Sequence, residues 1–84
     1  MIVTFKLFAT LAVHLPPEAR KLNRAEVEVA EGVTVQGMLD QFRVPKELCT
    51  LVLVNGAFVA PDGFAGRVLE AGDVLAIWPP VGGG

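Results

Sequence analysis

Cysteine and histidine are almost missing from this 84-residue chain, which has one of each, Cys49 and His14. A lone cysteine cannot close an internal disulfide, and with one histidine it falls short of the usual four ligands of a structural zinc site. A metal-free fold in a reducing compartment is expected. Charge is sparse too, at 19% of residues with a net charge of −2. That leaves no electrostatic footprint for a nucleic-acid backbone or an anionic membrane, so neither is expected as a partner. No apolar run is long enough to cross a bilayer. The opening Met1-Ile2-Val3-Thr4-Phe5-Lys6 lacks the basic start and uninterrupted apolar stretch of a secretory leader, so the expected location is cytoplasmic. A phosphate-binding glycine loop, a Ser/His/Asp set and a metal cluster are all absent.

What is present is enough apolar residue, 52% of the chain, for one small core. Residues 2–8 alternate, with Val3, Phe5 and Leu7 on one face and Thr4, Lys6 and Phe8 on a wetter one, the period of a half-buried strand. Ala9–Leu15 reads as a helical turn closed by Pro16-Pro17 and followed by a loop. Ala25–Ala30 alternates valines inward with Glu26 and Glu28 outward. Thr34 is placed to cap a helix whose stripe is Val35, Met38, Leu39 and Phe42, with Pro45 stopping it within a turn. Gly37 inside that helix suggests a close backbone contact. Asn55-Gly56, between Leu51–Val54 and Ala57–Val59, signals a type I′ hairpin. Pro61-Asp62-Gly63 and Ala71-Gly72-Asp73 are turns. Val74–Trp78 is apolar at every position, which suits a central strand buried on both faces and lying beside the first. One helix across a small mixed sheet buries these surfaces economically, and this is the element order of the β-grasp, or ubiquitin-like, fold, an α+β class.

The end of the chain, Pro79-Pro80-Val81-Gly82-Gly83-Gly84, does not read as part of that core. Residues 1–78 are expected to form the domain and 79–84 a flexible tail. Glycine has no Cβ, so such a tail can thread a channel too narrow for side chains, and the two prolines stiffen its exit. The plain alternative is a frayed chain end.

Several separated stretches resemble the MoaD/ThiS family of ubiquitin-like sulfur carriers. Phe8-Ala9-Thr10-Leu11 is similar to the pattern after the family's first strand, Val54-Asn55-Gly56 to its hairpin, and Ala71-Gly72-Asp73-Val74 to its turn into the last strand. The Pro-Pro-Val-small-Gly-Gly ending is the most specific element, with Gly82 at the small position. The long segment between the first two strands and the Pro-Pro-Val ending look more like the small subunit of molybdopterin synthase than like the thiazole-pathway carrier. After Leu11 the chain departs from that branch, having Ala12-Val13-His14 where charged residues are common.

The resemblance implies a reaction centred on Gly84. A ubiquitin-activating-like adenylyltransferase would use ATP to activate its carboxylate, a sulfur donor protein would convert it to a thiocarboxylate, and a MoaE-like large subunit would receive Pro80, Val81, Gly82 and Gly83 in its active site. The chain would bind no cofactor and would not be an enzyme by itself. The resemblance also points to Phe8, Phe58 and Trp78 as docking residues, against the plainer reading of each as core. A ThiS-like carrier and a ubiquitin-like modifier or interaction module are the alternatives. Cys49 reads as a small buried hydrophobe, and Met38 and Phe42 as helix core.

Overall fold

The computed structural model describes residues 1–80; the expectations placed on Val81, Gly82, Gly83 and Gly84 lie outside the described residues. Five strands form one mixed sheet: β1 (Ile2–Leu7), β2 (Arg24–Glu28), β3 (Leu51–Val54), β4 (Ala57–Phe58) and β5 (Val74–Trp78). Their order across the sheet is β2-β1-β5-β3-β4. β1 and β5 run parallel in the middle, with Phe5 opposite Leu75 and Leu7 opposite Ile77, and the other neighbouring pairs are antiparallel. A single α-helix, α1 (Val35–Gln41), supplies Val35, Met38 and Leu39 to the core. This is the β-grasp arrangement that the element order implies.

The alternation in β1 has the expected consequence: Val3, Phe5 and Leu7 are fully buried. They meet Leu75 and Ile77 of β5, Val52 and Val54 of β3, and the buried face of α1 in one cluster. Phe42 closes its edge, with its ring 5.1 Å from that of Phe5. At the start of α1 the Thr34 hydroxyl accepts from the Gly37 N–H at 3.0 Å, so the cap read from the sequence is formed. The crowding at Gly37 is local to that cap rather than against a distant backbone. A Cβ there would lie 3.0 Å from Val33 Cγ2 and 3.4 Å from the Thr34 hydroxyl. The helix ends before Pro45 acts, because Arg43 turns left-handed at φ 57°.

Two further expectations need correction. Pro16-Pro17 does not open a loop: it separates two 3-10 helices, Ala9–His14 and Pro17–Leu22, because proline, having no N–H to lose, sits well in a first turn. Val68, in a stretch too short to assign from the sequence, forms an isolated bridge with Thr34, tying the start of α1 to the long loop before β5. Most consequentially, β5 is central but is not covered on both sides. Leu75 and Ile77 enter the core; on the other face Ala76 is buried between its strand neighbours outside the core cluster, and Val74 and Trp78 are only half-buried. The buried residues of the helix and of the two longer 3-10 segments all join the cluster on the Val3, Phe5 and Leu7 side of the sheet, and the two short 3-10 turns bury none.

The hairpin and the turn into β5 are clamped together. Asn55 and Gly56 both have positive φ, 51° and 83°, as a type I′ turn requires. The Asn55 side chain donates to Asp73 Oδ1 and accepts from the Val74 N–H, each at 2.9 Å, while Asp73 Oδ2 accepts from the Glu70 N–H at 2.8 Å. These bonds, Asn55 first, hold the Asp73 carboxyl below the usual carboxylate range. A lowered native value means that the ionised form contributes stability above the unfolded-state value, and that this contribution is lost as pH falls through the native one. Urea denaturation from neutral pH to below about pH 4 should show stability falling on the acid side in the wild type. Asp73→Asn should be less stable at neutral pH and should lose part of that acid-side slope; an unchanged slope would remove Asp73 from the account.

Candidate functional site

Because β1 and β5 are parallel, Phe8, just past the end of one, and Trp78, the last residue of the other, arrive at the same end of the sheet. Their rings stack with centroids 4.5 Å apart and planes at 9°. Such a contact adds about 1 kcal/mol beyond the area it buries. The backbone fixes the pair from both sides. The Phe8 N–H donates to the Ile77 carbonyl at 3.2 Å, and the Thr50 N–H donates to the Trp78 carbonyl at 3.0 Å. Ladder pairing then stops, since Pro79 and Pro80 have no N–H to offer. The chain therefore leaves the sheet beside an aromatic stack. Ala9, next to Phe8, takes a left-handed φ of 52°, a conformation that costs an alanine roughly 1–2 kcal/mol and turns the chain sharply out of β1.

The stack continues across the open face of the sheet. Residues directly opposite in adjacent strands project to the same side. Leu51 lies opposite Trp78, and Leu53 lies opposite both Ala76 and Phe58, so these residues share the uncovered face. Phe58 is 62% exposed and Leu51 39% exposed, while Phe8 and Trp78 are half-buried against each other. None of Phe8, Phe58 and Trp78 belongs to the core cluster. The structure thus puts the three predicted docking residues on one apolar surface, with Phe8 touching Trp78 and Phe58 on the far strand. Leu51 and Leu53 also belong to this surface, with Ala76 buried among its residues, and the sequence pattern did not single them out. Leu51–Val54 and Val74–Trp78 are both apolar throughout, but that pattern alone does not tell whether the second face of either strand is covered.

No side-chain constellation accompanies this surface. Among the described residues, no cluster of His, Cys, Asp or Glu is arranged to hold a metal ion. A shallow cavity of about 430 Å³ lies beside Phe58, and its one charged lining residue, Arg67, donates to the neighbouring Val68 carbonyl at 2.6 Å. Cys49 is buried, its thiol donates to the Pro45 carbonyl at 3.4 Å, and burial, with Glu47 nearby, pushes it up to about 11. At neutral pH it is a thiol and a weak nucleophile. No helix among the described residues is long and apolar enough to cross a membrane.

A small β-grasp domain with an open apolar face at the end of the sheet where its C-terminal segment departs defines a ubiquitin-like protein. The model of the ThiS family matches residues 13–84, and the chain belongs to this family of ubiquitin-like sulfur carriers. Among solved structures it is similar to SAMP1 of Haloferax volcanii, a small archaeal modifier protein, with 30% identity, full coverage of both chains and a TM-score of 0.67. Two further structures share the fold over the full length of both chains. One is the thiamine biosynthesis protein ThiS of Geobacter metallireducens, at 20% identity and a TM-score of 0.66. The other is the complex of subunits 1 and 2 of molybdopterin-converting factor from Helicobacter pylori, at 17% identity and a TM-score of 0.59. No curated protein sequence matches at a significant level.

The outward position of Trp78 makes a specific prediction about stability. Trp78→Lys should remain folded and lose less than Ile77→Ala, whose buried side chain carries about 2–5 kcal/mol. Urea unfolding followed by circular dichroism checks this; an unfolded Trp78→Lys variant would show that Trp78 is core.

Proposed function

We propose that this protein carries sulfur as a thiocarboxylate on Gly84 and donates it in molybdopterin biosynthesis as the small subunit paired with a MoaE-like large subunit. The observation that carries the reading is the Phe8–Trp78 stack on an open apolar face, adjoining the point where Pro79 leaves the sheet. A partner that covers this face holds the domain at the root of the tail. Fully extended, residues 79–84 reach roughly 20 Å, enough to deliver the terminal atom into another protein's active site. Ordering such a tail costs about 1–2 kcal/mol per residue, which the buried apolar face is positioned to offset.

The chemistry is external to the chain. A carboxylate becomes an acyl donor when its oxygen attacks the α-phosphorus of ATP and pyrophosphate leaves, which is the work of the adenylyltransferase. A persulfide on the sulfur donor then displaces AMP, and a thiol cleaves the resulting S–S bond, leaving sulfur on the carboxyl carbon. Cys49 is unsuited to carry the sulfur itself, being buried and protonated. The long segment between β1 and β2, together with Pro79-Pro80-Val81, supports the molybdopterin branch over the thiazole branch. A second reading, covalent modification of proteins through an amide to lysine, is favoured by the 30% identity to the Haloferax volcanii modifier.

Reconstitution with the adenylyltransferase, ATP and a persulfide donor tests the proposal. Wild type and Cys49→Ala should both gain one sulfur at the C-terminal residue, and a variant lacking Gly83-Gly84 should neither gain sulfur nor release pyrophosphate. Addition of the large subunit and the cyclic pterin precursor should then discharge the sulfur. Loss of transfer in Cys49→Ala would contradict the assignment to Gly84, and accumulation of lysine conjugates without thiocarboxylate would favour the modifier reading.

A further inference from the structure

Lys6 is out of place on the surface just described. It stands between Thr4 and Phe8 on the open face of β1, in register with Ala76 on one side and with Arg24 on the other. Same-side neighbours along a strand are roughly 7 Å apart, so its stem lies next to the aromatic stack. Two cations directly opposite each other across β1 and β2 disfavour the sheet rather than support it. Arg24 is relieved by Glu26, at 3.7 Å. Lys6 is not: among the described residues the ion pairs are Arg24–Glu26 and the Met1 amino group with Glu28, and Lys6 joins neither of them nor any side-chain hydrogen bond. In a chain with a net charge of −2, its presence there does not follow from a general excess of positive charge.

Half-buried already, Lys6 would lose most of its remaining water when an apolar partner surface closes over Phe8, Trp78 and Leu51. Desolvating an unpaired ammonium is costly, and a carboxylate supplied by the partner removes the cost. We propose that Lys6 selects the docking partner: the protein that covers this face places an Asp or Glu carboxylate against the Lys6 ammonium, and a partner with an uncharged or basic group there is rejected. This rests on the carrier reading, in that the partner is taken to be the adenylyltransferase that activates the tail.

The test uses the intact chain with the adenylyltransferase of the same organism, followed by pyrophosphate release at several salt concentrations. Lys6→Glu should raise KM about tenfold or more with kcat little changed, since like charges would then meet across the interface. Lys6→Arg should stay near wild type. Lys6→Met should flatten the rise of KM with salt, because the screened charge pair is gone. Glutamate at this position faces Arg24, so the reversal improves the cross-strand pair and a raised KM does not arise from unfolding. A KM for Lys6→Glu within about twofold of wild type, or an unaltered salt response in Lys6→Met, would overturn the proposal. Failure of the wild-type chain to be adenylated at all would instead sink the carrier reading and this inference with it.

Discussion

The parallel pairing of β1 with β5 is the constraint on which the rest of the structure depends. It joins the first and last strands in the centre of the sheet, so the most apolar segment of the chain, Val74–Trp78, is held by neighbours on both edges. It also makes the two strands finish together. Phe8 and Trp78 stack only because of that common finish, and the C-terminal segment leaves the sheet beside them for the same reason. An antiparallel pairing of the same strands would put Phe8 and the root of the tail at opposite ends.

The second constraint is how little helix there is. One α-helix of seven residues can cover one side of a five-stranded sheet, and the 3-10 segments contribute Leu11 and Ala19 to that same core. The opposite side is left with Leu51, Leu53, Trp78 and Phe58, residues that in a self-contained domain would be covered or polar. Apolar surface of this kind marks an interaction site. The core of the isolated domain and the proposed docking surface thus lie on the two faces of one sheet, which is why Trp78 and Ile77, adjacent in sequence, are expected to differ so much in what they contribute to stability.

Much of this was legible in the sequence because local rules and the fold agree. Alternation placed Val3, Phe5 and Leu7 inward and Phe8 outward; Thr34 capped the helix it preceded; Asn55-Gly56 made the turn that its positive φ values require. The open face was not legible, because period 2 tells which residues share a side but not whether anything covers it. An all-apolar strand such as Val74–Trp78 looks the same whether its second face meets another layer or a partner. The clamp from Asn55 to Asp73 and the Lys6–Arg24 juxtaposition were invisible for a different reason. Both depend on register between strands distant in sequence, and register is set by the whole sheet. For the tail residues, composition and family membership speak, and geometry does not.

The most direct measurement on the central claim is the intact mass of the protein isolated from its own cells, with fragmentation to place any change. A fraction of the protein with sulfur in place of one oxygen, located at Gly84, is the predicted result. A C-terminal residue found only as an ordinary carboxylate or as an amide to lysine, in cells actively making the sulfur-containing cofactor, would contradict it.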